Sequence, residues 1–322
     1  MSELNKQGNA LLTLLADGEF HSGEKIGKVL GVSRTSVNNY IKALQEIGLD
    51  IYKVTGKGYC SAQPVELLNA DKIKSLSQND AVHVEQIVDS TNQWLLDRIA
   101  DLQNGESCIS EYQLAGRGRR GRTWVSPFAS HLYFSVYWRF DSGIDKVSGL
   151  SLLVGIATVN ALEKIGISGV SLKWPNDLYY QGKKLAGILI ELNAQATEAC
   201  HCVIGIGINV RMPAEQAKLI DQPWTDLSQL GRELVDRNLL SAILISELQT
   251  LLAQYEETGL QPYLARWFEL DCFLNKPVSL LIADKSKQGI CRGINENGAL
   301  LLECDGQTEP YIGGEISLRL AD

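Results

Sequence analysis

The N-terminal stretch sets short apolar faces between polar turns, the pattern of a small helical module. Leucines crowd Asn9–Ala16, which predicts a first helix ending near Asp17-Gly18. Ser22 is placed to cap a second helix running through Val29-Leu30. Gly31-Val32-Ser33 reads as a turn, with Ser33 capping a third helix. There Val37, Ile41, Leu44 and Ile47 recur at steps of four and three, so they share a buried face. Gly48 ends that helix. Ile51–Val54 and Tyr59-Cys60 then flank Thr55-Gly56-Lys57-Gly58, a hairpin with a glycine-rich tip.

Further along, Ser61–Pro64 reads as a linker and Asn69–Leu76 as a short helix. Strands are predicted at Val82–Ile87, Ser107–Tyr112, His131–Trp138, Val170–Trp174, Leu185–Leu192 and Cys202–Val210. Helices are predicted at Thr91–Leu102, Val147–Ile165, Leu239–Thr258 and Pro262–Phe268. Strands and helices mix without strict alternation, which suggests an α+β domain with a mixed sheet and helices on one face. The chain closes with short strands at Pro277–Ile282, Gly289–Ile294, Ala299–Cys304 and Glu315–Leu320. Asp284-Lys285, Asn295–Gly298 and Asp305-Gly306 lie between them, and this spacing suggests a small β-barrel. The expected organisation is therefore α+β and multidomain, with boundaries at 1–63, 66–271 and 272–322.

Composition narrows the class. A chain of 322 residues with 45% hydrophobic positions is neither disordered nor low-complexity. The longest nearly apolar stretch, Leu150–Leu162, is too short to span a bilayer, so no membrane partner is expected. The N-terminus lacks the basic start and apolar core of a signal peptide, and a cytoplasmic location is the expectation. The seven cysteines form no CxxC pair. Cys200-His201-Cys202 is the one cluster, and a zinc site would need further ligands at suitable spacing.

A net charge of −8 argues against uniform coating of nucleic acid, but a small basic face is enough for local contact. On the third helix Ser33, Arg34, Thr35, Asn38, Asn39 and Lys42 make a polar stripe without a carboxylate, as a helix entering the major groove needs. Lys53 and Lys57 on the hairpin would contact phosphate, which positions without reading sequence. Helix-turn-helix followed by a basic hairpin is a winged helix-turn-helix; the alternative is a helical hairpin used for protein contacts.

The most informative stretch is Gly116-Arg117-Gly118-Arg119-Arg120-Gly121-Arg122. It fits GxGxxG, with Asp141 downstream where a dinucleotide-binding acid would lie. That reading fails because Thr123-Trp124-Val125-Ser126-Pro127 begins no helix to receive a pyrophosphate. Four arginines among three glycines instead make a cationic strip able to fold around an anion. Arginines cannot lie buried unpaired, so without ligand this loop is expected to be disordered. Lys173-Trp174-Pro175-Asn176-Asp177 puts a cation at a strand end and a carboxylate in the turn beyond it. An aspartate beside a lysine suits a magnesium ion held against a phosphate. Gly187 within a strand and Gly205-Ile206-Gly207-Ile208-Asn209 at a strand end suggest close approach of a ligand. The residues alone thus reach an anion-binding α+β domain fused to a DNA-binding module.

With these segments the chain resembles the bifunctional biotin protein ligase and biotin operon repressor family of bacteria. The resemblance rests on Asp89-Ser90-Thr91-Asn92, Gln113, the 116–121 motif, 173–177, Lys184–Leu189, 205–209 and 313–319, in that order. It implies a C-terminal barrel of SH3-like type. It also implies that biotin and ATP form biotinyl-5′-AMP, and that biotin passes to a lysine of the biotin carboxyl carrier protein of acetyl-CoA carboxylase. By resemblance Ser90, Thr91, Asn92 and Gln113 line the biotin site, with Gly116, Gly187 and Gly205 allowing close approach. Arg117 and Arg119 close over biotin and phosphate, and Lys184 contacts the carboxylate and the adenylate bridge. Lys173 and Asp177 serve ATP and Mg2+, Arg120, Arg122 and Asn176 belong to the ATP side, and Trp124 with Asn209 faces adenine. Arg119, Lys184, Lys173 and Asp177 form the implied catalytic set. With biotinyl-5′-AMP as co-repressor, a homodimer on biotin operator DNA is implied, and Gly187–Leu192 is the candidate edge strand for it. Two other readings stay open at this point: a sensor that binds the adenylate without making it, and a ligase for a related acid such as lipoate.

Overall fold

The structure, a computed structural model, describes residues 6–46, 48–61, 66–141, 147–193, 199–231, 235–282, 285–313 and 316–321. Ile47, the linker residues 62–65, Asp284 and the pair 314–315 lie outside the described residues.

The first three helices are α1 (Lys6–Leu15), α2 (Gly23–Leu30) and α3 (Arg34–Glu46). Ser22 accepts from the Lys25 amide, and Ser33 Oγ accepts from the Ser36 amide at 3.1 Å, so both predicted caps are formed. Gly31 turns the chain with φ 65°, a conformation that suits glycine. Leu11, Leu15, Ile26, Val37, Ile41 and Leu44 close a separate small core. The strands β1 (Ile51–Val54) and β2 (Gly58–Ser61) form the predicted antiparallel hairpin.

After α4 (Ala70–Ser77) come β3 (Val82–Val88), α5 (Thr91–Leu96), β4 (Ser107–Gln113) and β5 (Leu132–Phe140). There follow α6 (Leu150–Lys164), β6 (Ser171–Lys173), β7 (Asp177–Tyr180), β8 (Lys183–Asn193) and β9 (Cys200–Ile208). Then come α7 (Ala214–Ala217), α8 (Arg237–Thr258) and α9 (Leu264–Leu270). The strands build one seven-stranded sheet in the order β3-β4-β5-β9-β8-β7-β6, parallel only between β3 and β4. It is the expected mixed sheet of an α+β domain.

Helices cover both faces, not one. On β5 and β9, Phe134, Val136, Cys202, Ile204 and Ile206 point to the large core shared with α6 and α8. The alternate residues Tyr137 and Val203 meet Leu95 of α5 on the opposite face. The helix predicted over Thr91–Leu102 stops at Leu96, and this short helix leaves most of that second face open. Two strands were not predicted. β7 is four residues long and follows the Pro175-Asn176 turn, and β13 (Gln307–Tyr311) is polar with a proline.

The C-terminal strands β10 (Pro277–Ile282), β11 (Lys285–Ile294), β12 (Leu300–Cys304), β13 and β14 (Ile316–Leu320) form a five-stranded antiparallel sheet in the order β13-β12-β11-β10-β14. It docks on the central domain where Trp174 Nε1 donates to the Gly298 carbonyl at 3.1 Å. No helix among the described residues is long and apolar enough to cross a membrane.

Candidate active site

The open face of the sheet carries the site because β8 and β9 set glycines there. Tyr133, Gly207, Gly187 and Asp177 stand in one row across β5, β9, β8 and β7. Ser135, Gly205 and Leu189 form the next row. Two neighbouring glycine positions leave a trough, and other parts of the chain fill it. A β-carbon on Gly207 would lie 2.5 Å from the Trp124 indole, and one on Gly205 would lie 2.3 Å from Asn92 Oδ1. The strand glycines therefore admit Trp124 and Asn92, which in turn wall the cleft.

The first cavity encloses about 480 Å3 including its open mouth. A chain of hydrogen bonds runs along its polar end. The Thr91 amide donates to Gln113 Oε1 at 3.0 Å, and Gln113 Nε2 donates to Ser126 Oγ at 3.1 Å. Ser135 Oγ lies 2.7 Å from Thr91 Oγ1 and 2.5 Å from Asn92 Oδ1. Its single proton serves one of them at a time. Ser90, Thr91, Asn92, Gln113, Arg117, Arg119, Lys184, Gly187 and Gly205 all border this cavity, while Gly116 lies behind it, packed against Ser126 and the Trp124 carbonyl.

The arginine strip is ordered by protein partners that its own sequence does not reveal. Arg117 donates to Glu191 Oε2 at 2.8 Å and to Gln93 Oε1 at 3.0 Å. Arg119 donates to Asn176 Oδ1 at 2.7 Å, and Asn176 Nδ2 donates to the Ile188 carbonyl. Burial pulls the Arg119 guanidinium below its ordinary pKa, with nearby Asp177 opposing and Arg120 adding to the shift. The turn is closed by Arg120 and Gly121, both with positive φ, and no helix follows. The expectation of disorder without ligand thus overlooked Glu191, Gln93 and Asn176 as partners.

A second cavity is bordered by Arg122, Trp124, Lys184, Asn209, Met212 and Trp224 among others. Its buried indole N–H of Trp124 has no acceptor among the described residues, a donor left for a ligand atom. Met212, Gln222 and Trp224 were missed in the sequence. They come from the segment after Asn209, which Lys184 fixes by donating its amide to the Pro223 carbonyl. A third cavity holds Arg119, Arg120, Arg122, Lys173, Asn176, Asp177 and Lys184, with Ile316–Leu318 of the C-terminal sheet along its side. Lys184 Nζ pairs with Asp177 Oδ1 at 2.7 Å, without the alignment of a hydrogen bond. Lys173 Nζ donates to the Tyr179 hydroxyl at 2.9 Å. Burial lowers the Lys173 ammonium and, with Asp177, raises the Tyr179 phenol to about 12. Trp124 and Lys184 border all three cavities, so they mark the junction.

The edge-strand expectation needs correction. β8 is an inner strand of the sheet. Its first half pairs with β7 as far as Gly187, and Ile188–Asn193 lack a strand on the side away from β9 among the described residues. Tertiary pairing with the unpredicted β7 is the cause.

On the N-terminal module Ser33, Arg34, Thr35, Asn39 and Lys42 are exposed along α3. Asn38 is half-buried and accepts from the Tyr59 hydroxyl at 3.4 Å. Lys53 and Lys57 are exposed on the hairpin, against the rings of Tyr59 and Phe20.

A cationic cleft on a mixed sheet, joined to a helix-turn-helix module, defines the class of an anion-binding α+β domain fused to a helix-turn-helix module. Comparison with known proteins gives the particular kind. Residues 84–209 match the biotin/lipoate A/B protein ligase family, 8–60 a helix-turn-helix domain, and 273–319 the biotin protein ligase C-terminal domain. The chain is 51% identical over 312 residues to the bifunctional ligase/repressor BirA of Escherichia coli, covering 97% of each. It is 33% identical over 236 residues to the biotin–[acetyl-CoA-carboxylase] ligase of Mycobacterium tuberculosis, covering 70% of this chain and 85% of that one. Biotin protein ligase from Aquifex aeolicus, solved in complex with biotin and ATP, superposes with TM-score 0.65 at 29% identity, over 74% of this chain and 99% of that one. The chain belongs to the bifunctional biotin protein ligase and repressor family.

Proposed function

We propose that this protein joins biotin to ATP as biotinyl-5′-AMP, transfers biotin to a lysine of the biotin carboxyl carrier protein, and represses the biotin operon with the adenylate bound. The observation that carries this is the meeting of three cavities at Trp124 and Lys184. They supply, around one point, a polar-ended cleft for biotin, a place for adenine against Trp124 and Asn209, and a cationic place for phosphates.

In the first step a biotin carboxylate oxygen bonds to the α-phosphorus of ATP, and the bond to pyrophosphate breaks. Two anions must approach, so fixed cations do most of the work. Arg119, Lys173 and Lys184 border the phosphate cavity and offset that repulsion. In the second step the carrier lysine amine bonds to the acyl carbon, loses a proton, and AMP leaves. An acyl-adenylate is open to hydrolysis, and the 116–122 loop over the cleft excludes water until the acceptor arrives.

Among the described residues Asp177 is the one carboxylate bordering the phosphate cavity, and no cluster of three or more metal-ligating side chains occurs among them. That donor set suits Mg2+ brought with the nucleotide and held by one carboxylate, not a resident ion. When bound there, Mg2+ would neutralise phosphate charge.

We assign residues 1–63 to operator binding, 66–271 to biotin and ATP, and 272–322 to support of the phosphate cavity; the matched spans 8–60, 84–209 and 273–319 fall inside these limits. Pairing of two copies through the free half of β8 would set two winged modules on a two-fold symmetric operator. Incubation with biotin, MgATP and carrier protein, followed by mass measurement of the carrier, tests the ligase reading. A gain of one biotinyl group is expected; an unchanged mass overturns it.

A further inference from the structure

Glu191 lies beyond the residues bordering the biotin, adenine and phosphate cavities, yet one of its oxygens holds two parts of the site together. Oε2 accepts from Asn92 Nδ2 and from Arg117 Nη2, each at 2.8 Å. Asn92 is 3% exposed. Its amide has two orientations, and its neighbours select one. Nδ2 faces Glu191 and the Leu189 carbonyl, while Oδ1 faces the Ser135 hydroxyl. A reversed amide would set a carbonyl oxygen against a carboxylate. Glu191 therefore fixes which end of the Asn92 amide faces Ser135, whose hydroxyl joins Asn92 to Thr91 and so to Gln113. The same oxygen fixes the first arginine of the loop, which Gln93 steadies from the residue next to Asn92. Charge-assisted bonds of this kind exceed neutral ones.

We propose that Glu191 is a positioning residue that couples the biotin wall to the arginine loop, so that biotin affinity and retention of the acyl-adenylate are set together by one carboxylate. This rests on the reading of the first cavity as the biotin site. It adds to that reading a residue outside the cavity and a joint effect on two steps.

The test is Glu191→Gln in the full-length protein, which keeps the shape and removes the charge. Both donors meet the same oxygen, so the amide oxygen can take its place and accept from both, and what is lost is the charge that strengthens the two bonds. Biotin binding by calorimetry is expected to weaken about tenfold, and release of preformed biotinyl-5′-AMP to quicken by a similar factor, the value of one weakened charge-assisted bond. KM for ATP is expected to stay put because Glu191 borders neither nucleotide cavity, and the melting temperature to fall only slightly because its side chain is 29% exposed. Glu191→Asp restores the charge at a shorter reach, and an intermediate loss is expected. If Glu191→Gln does not fold, Glu191→Asp carries the test, and wild-type retention in it overturns the coupling. Unchanged biotin affinity and release in Glu191→Gln also overturn it, as does a uniform loss that includes KM for ATP and a large fall in melting temperature. Absence of biotin binding by the wild-type protein removes the underlying reading and the inference with it, so the two failures are distinct.

Discussion

The indole of Trp124 rests on Gly207, with the position of a missing β-carbon 2.5 Å from the ring. A methyl group there has nowhere to go, because the strand beneath is held on both sides by β5 and β8. Gly207→Ala must displace Trp124 from the junction of the cavities. Overpacking of this kind costs about 1–3 kcal/mol, equivalent to roughly a 5- to 150-fold change in binding. ATP affinity is expected to fall by that factor while biotin affinity falls less; equal affinities for ATP in variant and wild type would refute the placement of Trp124.

Arg119 reaches from the loop to Asn176, and Asn176 is tied to the Ile188 carbonyl on β8. Arg119→Gly removes this latch. A charge-assisted hydrogen bond is worth about 1.5–3 kcal/mol, so adenylate dissociation is expected to rise by roughly 10- to 100-fold. The fold is expected to survive, since no core side chain is touched. Stopped-flow release of biotinyl-5′-AMP measures the effect, and an unchanged rate counts against the latch.

Local patterns made part of this architecture legible before the structure. The caps at Ser22 and Ser33 and the face Val37, Ile41, Leu44 depend on neighbours within one or two helical turns. The arginine strip was legible as an anion loop, but its partners were not. Arg117 meets Glu191 across 74 residues, and Glu111 meets Arg237 across 126. Nothing in the spacing of either pair signals the contact. β7 was invisible because its pairing with β8, not its four residues, makes it a strand. β13 has the polar composition of a loop, and the edge of a sheet tolerates its proline.

Arg237 and Glu111 form a buried ion pair at 2.7 Å, with side chains 7% and 0% exposed. Arg237 also donates to the carbonyls of His131 and Glu66, and Glu111 accepts from the Leu68 amide. The pair thus clasps residues 66–68 against β4. Glu111→Ala would leave a buried cation without its partner, a loss of about 3–5 kcal/mol. Urea unfolding is expected to shift by that amount; a change below about 1 kcal/mol, the scale of a surface pair, would show that the clasp contributes little.

His131 is fully buried beside this clasp, and burial pushes its imidazole from 6.5 down to about 4. Its Nδ1 accepts from the Val210 amide at 3.0 Å, which places the neutral ring's proton on Nε2. Between these two pKa values the unfolded chain takes up a proton that the folded one refuses. Stability from this residue is therefore full above pH 6.5 and declines as pH falls toward 4. The decline is on the order of 3 kcal/mol. Carboxylates titrate in the lower part of the same range, so the test is a difference. His131→Asn keeps an acceptor for Val210 and cannot titrate. Its unfolding free energy is expected to change less with acidification than the wild type's, and parallel curves would refute the assignment.

Leu192 is 44% exposed on the half of β8 that, among the described residues, has no strand on the side away from β9. Leu114, 45% exposed, follows β4 at the base of the arginine loop, and both Leu114 and Leu189 border the outer side of that loop. A free strand edge flanked by apolar side chains is a template for pairing with another strand, and charge on such an edge blocks pairing. Leu192→Lys adds a charge there without entering any of the three cavities that meet at Trp124. Association in the presence of biotinyl-5′-AMP is expected to weaken by at least about tenfold, equivalent to about 1.4 kcal/mol. Biotin transfer to the carrier in dilute solution is expected to remain, since one chain holds the whole cleft. Sedimentation equilibrium with and without the adenylate decides the matter. A variant that associates as the wild type does would place the contact elsewhere on the molecule, and the two winged modules would then need another route to a symmetric operator.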